Sequence, residues 1–281
     1  MSNADFFKLI IHTSEKIGDL YGLCAGFENG EWRKEQMVKH ILKCVPEFAL
    51  PYSEYKNINY ENTIEMTRIA FHNIYNTDKY QSRGEIGELL LHCVLKDINK
   101  TIPVISKIYF KDSANDTVKG FDSVHVVNKG IDLELWLGEV KFYSDINKAI
   151  NDVSKELIEH TKAIFLRGEF LAITNKIDKN WPHKDKLLKL IDPNTSLDEI
   201  FSRACIPVLL TYDSKTIAQF DNHCDEYFKA IRNEFRRLYK TFSKKITDKI
   251  PLTVHLYLIP LKTKKELVEC FNKKLKSWQQ I

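Results

Sequence analysis

No run of apolar residues in this sequence is long enough to suggest a membrane span, and no two of its six cysteines stand close together. The first absence argues against an integral membrane protein. The second argues against a disulfide framework and a zinc site alike, because Cys24, Cys44, Cys93, Cys205, Cys224 and Cys270 are scattered rather than set at ligand spacing. Reduced thiols of this kind fit a cytoplasmic protein. The opening residues are acidic before a short apolar patch broken by Lys8, which does not read as a secretory signal. There is no Gly/Ser linker, internal repeat or low-complexity tract, and no Gly-x-Ser-x-Gly nucleophile signature. Nor does one sign of charge dominate: a net charge of +4 permits nucleic-acid binding without requiring it. With 43% hydrophobic and 28% charged residues over 281 positions, the chain can bury a substantial core.

What is present is concentrated in two adjacent segments, 118–127 and 133–143, which read as strands. The first carries Asp122 and the second carries Glu139-Val140-Lys141. Side chains alternate along a strand, so Glu139 and Lys141 project from one face. Asn128-Lys129-Gly130 is the turn signal between them. With Lys129-Gly130 as a two-residue loop, Asp122 faces Leu137 and shares a face with Glu139 as its diagonal neighbour, while His125 points to the opposite face. A bulge or a longer loop would reverse that parity. A lysine beside acidic groups in an apolar strand suits phosphodiester hydrolysis. Carboxylates hold a divalent cation, and the lysine steadies an attacking water or the charge developing on phosphate. The alternative is a solvated hairpin with a chance acidic cluster.

Upstream, residues 83–95 have helical spacing, with Ile86, Leu89, Leu90, Cys93 and Val94 as the buried stripe. Glu85 and Glu88 share a flank of that helix, with His92 one turn further on. Gly84 and Gly87 are poor helix-interior residues, which makes sense where another backbone or a ligand comes close. A strand over 104–110 follows, and after the Glu-x-Lys strand comes a helix from Ser144, as N-cap, to about Lys162.

The order is thus helix with Glu, strand, strand with Asp, strand with Glu-x-Lys, helix. It resembles the core of the PD-(D/E)xK, or restriction-endonuclease-like, nucleases. That resemblance implies Glu88 (or Glu85), Asp122 and Glu139 as ligands of Mg²⁺ or Mn²⁺ and Lys141 as the catalytic lysine. The family's proline is absent, with Gly120-Phe121 in its place. A narrower resemblance joins residues 26–33 (Gly-Phe-Glu-Asn-Gly-Glu-Trp-Arg), 45–50 (Val-Pro-Glu-Phe-Ala-Leu) and 83–90 (Arg-Gly-Glu-Ile-Gly-Glu-Leu-Leu). Together they look like the nuclease subunit of Hachiman anti-phage defence, the HamA family. It implies a bacterial effector that degrades DNA in complex with a helicase subunit, HamB.

The expected fold is α/β (α+β), a restriction-endonuclease-like core whose mixed sheet is flanked by helices. Residues 1–78 form a mostly helical N-terminal addition, with helices near Lys34–Lys43 and Tyr60–Tyr75, and residues 79–281 form the core and its C-terminal additions. Trp32, Phe48 and Tyr52 could anchor a partner or pack internally, in equal measure. Further strands are expected at 170–173, 206–212 and 254–259. Ser196 has capping-box spacing to Glu199, and a last helix runs from Lys264 to about Trp278. Residues 225–245 read as a basic amphipathic helix, either a phosphate-neutralising face or, more in line with ordinary surfaces, a solvated one. His183, in a turn, reads as structural. Against the nuclease stand a nuclease-like module without activity that serves a helicase, and a hydrolase built on His183 or Cys205, which no motif supports.

Overall fold

The computed structural model describes residues 6–74, 84–106 and 120–280. The chain opens with an antiparallel pair, β1 (Lys8–Glu15) and β2 (Gly18–Cys24), and a short ribbon, β3 (Phe27–Glu28) and β4 (Glu31–Trp32). Helices α1 (Lys34–Lys43), α2 (Val45–Ala49), α3 (Tyr52–Lys56) and α4 (Thr63–Asn73) follow, then α5 (Glu85–Asn99). Next come β5 (Ile102–Ser106), β6 (Ser123–Lys129) and β7 (Asp132–Phe142), and helices α6 (Ile146–His160), α7 (Ala163–Lys176), α8 (Lys184–Leu190) and α9 (Leu197–Phe201). The chain continues through β8 (Ala204–Asp213), α10 (Lys215–Gln219), α11 (Asp225–Ile246), β9 (Thr253–Leu261) and α12 (Lys264–Gln279). No described helix is long and apolar enough to cross a membrane.

Seven strands form one mixed sheet in the order β1-β2-β9-β8-β7-β6-β5. The four central strands, β2, β9, β8 and β7, are parallel, and the pairs toward both edges are antiparallel. Strand β8 is buried along its length except at Asp213, as befits a parallel strand covered on both faces. Pro207 sits inside it and has no N–H to donate. The β7–β8 pairing accordingly stops after Trp136↔Cys205 and resumes at Glu139↔Val208.

Two helical layers cover the sheet. On one face α5 packs on β7 so closely that a Cβ on Gly87 would lie 2.8 Å from Phe142 Cβ, so only glycine fits there. Helices α1 and α2 cover α5 in turn, and residues 86–95 are buried on every side, Glu88 and His92 included. The amphipathic flank expected from the sequence is therefore absent: α5 is a central helix, not a surface one. On the other face lie α6 and α11.

Other expectations need correction. Residues 170–173 are not a strand but the middle of α7, where Leu166, Phe170 and Ile173 form its buried side. The N-terminal region holds strands as well as helices, and β2 is bonded into the main sheet beside β9. Trp32 and Phe48 are core residues, and Tyr52 packs against the core, so the internal alternative describes all three. Strand β5 starts earlier than expected, and positions 107–110 lie outside the described residues. Asp145, rather than Ser144, caps α6 by accepting bonds from the Asn147 and Lys148 N–H groups. The Ser196 cap forms as expected, and α12 extends to Gln279.

Candidate active site

Strands β6 and β7 pair Lys129 with Asp132 and Ser123 with Gly138, so the loop is Gly130-Ile131, one residue later than expected. Gly130 takes the first loop position at φ +85°. Shifting the register by two preserves parity. Asp122 lies just before β6, next to the Ser123↔Gly138 pair that ends the ladder, and near enough to Glu139 for its charge to act on that carboxyl. Its backbone N–H donates to Gly138 O at 2.8 Å, and its Oδ2 accepts from Val140 N–H at 2.8 Å. Those two bonds clamp Asp122 to the strand that bears Glu139.

Glu139 is 1% exposed and Asp122 7%. Burial, then the charge of Asp122, pushes the Glu139 carboxyl up to about 7, against the opposing pull of His160 and Lys141. His160, near the end of α6, meets Glu139 Oε1 through Nδ1 at 2.5 Å. Burial disfavours the His160 cation, but its bond to Glu139 and the charges of Glu139, Glu156 and Glu169 outweigh that and raise its pKa. Each group favours the charged form of the other: the His160 cation pulls the Glu139 pKa down, and ionised Glu139 pulls the His160 pKa up. Phe165 stacks on the imidazole with ring centroids 4.1 Å apart, and Phe121 meets its edge, which fixes the ring.

Lys141 pairs with Glu156 of α6. Burial works against its ammonium, yet the bond to Glu156 and the charges of Glu139, Glu156 and Asp122 raise its pKa, so it stays cationic. Its side chain is 12% exposed, enough to present the charge at the rim. The structure therefore brings together Asp122, Glu139 and Lys141, all three read from the sequence.

Glu85 and Glu88 stand differently. Glu88 is buried and Glu85 half-buried in the first turn of α5. That helix covers the face carrying Val140 and Phe142, whereas Glu139 and Lys141 point toward α6. Among the described residues no three His, Cys, Asp or Glu side chains gather so as to hold a metal ion. Asp122 and Glu139 nonetheless supply the anionic oxygens that a hard divalent cation takes, and such a cation would relieve their mutual repulsion.

Sequence reading missed His160 and Glu156. They lie four apart on one flank of α6, an acid and a histidine on the helix that follows Glu-x-Lys, and that spacing was the available signal. His125 lies on the face opposite Asp122, as expected, donating to or accepting from Thr101 Oγ1 at 2.7 Å in the α5 layer. His183 serves the packing, its ring meeting the edge of the buried Trp181. All six cysteines are free.

A model of the HamA family matches residues 4–275. A comparison with curated proteins finds no match.

Proposed function

The chain belongs to the HamA family, which places it in Hachiman anti-phage defence, and from that premise we propose that it is the system's metal-dependent deoxyribonuclease. What carries the reading is one juxtaposition: two buried carboxylates, Asp122 beside the start of β6 and Glu139 on β7, close enough for the charge of Asp122 to act on Glu139, with Lys141 on the same face of β7 as Glu139. We read this as the core arrangement of a PD-(D/E)xK nuclease. Asp122 and Glu139 would hold Mg²⁺ or Mn²⁺; for Glu88 or Glu85 to serve as the third carboxylate, its side chain would have to reach that cation from the α5 side of the sheet. A bound divalent cation supplies Lewis-acid stabilisation and a nucleophilic water at neutral pH.

The chain's own residues do the rest. His160 holds the Glu139 carboxylate in one orientation, and the Val140 N–H does the same for Asp122. Lys141 stabilises negative charge as it develops on the phosphate, having been kept cationic by its acidic neighbours. Glu156 steadies the lysine from the solvent side. The family implies a Hachiman partner, and we take that partner to be a HamB-like helicase that controls access to DNA.

The test is cleavage of plasmid and single-stranded DNA by the purified chain, alone and co-purified with the helicase, in Mg²⁺ and in EDTA. Lys141→Ala should fold normally and lose on the order of 10² or more in rate. Wild-type cleavage by that variant would sink the assignment. Cleavage that persists in EDTA would remove the metal.

A further inference from the structure

A cavity of about 290 Å³ opens between α2, α3, β5 and α5, in the layer away from Glu139. Its walls are mostly apolar, with Phe48, Leu50, Tyr52, Tyr55, Ile102 and Val104 contributing, and three of those six are aromatic. That composition is typical of small-molecule sites, which add a few placed polar groups to an apolar body.

Here the polar groups are at the base and the mouth. At the base lies His92, whose side chain is 2% exposed and whose Nε2 has no hydrogen-bond partner. Leaving a buried ring nitrogen unbonded is costly, so something should meet it. Glu47 Oε2 stands 3.4 Å away, but that carboxylate is taken by Lys96. Burial pushes the His92 pKa down to about 4, so the ring is neutral. It can offer either a donor or an acceptor at Nε2, according to its tautomer.

At the mouth the balance of charge is positive. Asp178 is occupied by the Ser53 N–H at 2.9 Å and the Ser53 hydroxyl at 2.7 Å. Lys56 and Lys176 line the opening, are exposed, and form no ion pair among the described residues. The Lys56 ammonium sits over the rings of Tyr52 and Tyr55, 5.7 and 5.4 Å from their centroids.

We propose that this cavity binds a planar aromatic anion. Its ring would lie against Phe48, Tyr52 and Tyr55, its polar edge would face the His92 wall, where Nε2 is covered until that wall yields, and its anionic substituent would meet Lys56 and Lys176. Aromatic walls favour a flat ring. An unbonded nitrogen at depth demands a polar edge, and two exposed ammonium groups at the entrance select an anion. A nucleoside monophosphate and a simple aromatic acid share this chemistry.

The experiment titrates the full chain with 8-anilinonaphthalene-1-sulfonate, an aromatic anion whose fluorescence reports binding, and then adds AMP or adenosine as competitor. Saturable one-to-one binding is expected, with AMP displacing the dye better than adenosine. The exposed double variant Lys56→Glu/Lys176→Glu should raise the Kd about tenfold or more, as charge reversal at an anion site does. His92→Leu should weaken AMP more than the dye, since only the base offers a hydrogen-bonding edge. Lysine-dependent dye binding that AMP does not displace supports the site and assigns it to an aromatic acid. Absence of saturable binding, or equal affinity in the double lysine variant, overturns the proposal.

Discussion

Replacing Glu139 with glutamine should make the protein more stable at pH 8 while abolishing the proposed DNA cleavage. The carboxyl is 1% exposed and its pKa is raised from 4.5 to about 7 by burial and by Asp122. A native state that holds its proton more tightly than the unfolded chain draws stability from it below pH 4.5. That contribution is lost as pH rises through about 7. Each tenfold difference in proton affinity between the two states is worth about 1.4 kcal/mol, so ionised Glu139 costs the folded protein about 3 kcal/mol above pH 7. His160, whose pKa is also raised, moves in the same direction: its stabilisation is present below 6.5 and fades as pH rises through its folded value. Glutamine keeps the volume and removes the charge that desolvation penalises. Urea denaturation followed by tryptophan fluorescence should show the variant ahead by about 2–3 kcal/mol at pH 8, with the advantage gone at pH 5. Adding Mg²⁺ at pH 8 should raise the stability of the wild type, not of the variant, if the carboxylate is a ligand. An equal gain at both pH values, or a loss at pH 8, would refute the account of Glu139 as a strained, cation-ready carboxylate.

Asp122→Asn should weaken Mn²⁺ binding in calorimetric titration, because a neutral amide replaces an anionic oxygen; unchanged affinity would move the metal elsewhere. Gly87→Val should cost about 1–3 kcal/mol, because its Cβ would sit within 2.8 Å of Phe142 Cβ and 3.2 Å of Val140 Cγ2, and an unaltered Tm would show that α5 can retreat. His92, with its pKa lowered from 6.5 to about 4 by burial, contributes stability that is complete above pH 6.5 and is lost as pH falls toward 4. Measured in the Glu139→Gln background, where the opposing pair is gone, stability should fall by about 3 kcal/mol across that window, and a flat profile would contradict the buried neutral ring.

The strongest signals in the sequence were local ones. Two-residue periodicity put Asp122, Glu139 and Lys141 on one side of a hairpin, and parity survived even though the loop lay one residue later than Asn128-Lys129-Gly130 suggested. The bounds of α1 came directly from its pattern. What escaped depends on distant residues. Phe170–Ile173 is four apolar residues, too short to separate helix from strand until Leu166 is seen to share its buried side. Strand β2 joins the main sheet through one parallel partner, β9, far along the chain, so its local hairpin with β1 did not advertise that place. Glu156 and His160 are visible as a helix flank, but only the packing of α6 on β7 aims them at Lys141 and Glu139. Likewise, nothing local tells that α5 is enclosed; that follows from α1 and α2 lying over it.

The pairing of β2 with β9 also sets a clock. Leu20, Tyr21 and Gly22 are held by Leu256, Tyr257 and Leu258, so the opening hairpin must wait for more than two hundred intervening residues before it joins the sheet. At a ribosomal rate of about 5–20 residues per second, that wait lasts on the order of ten seconds or longer. Meanwhile β7 lacks its inner neighbour β8, and Phe235 of α11, which fills the space over Gly22, has not yet been made. Contacts of such long sequence separation also slow the final closure. The carboxylate hairpin can therefore form early, but the rigid frame that holds α6 against it is a property of the nearly finished chain. On the proposed function, the chain would in this way leave the ribosome unarmed.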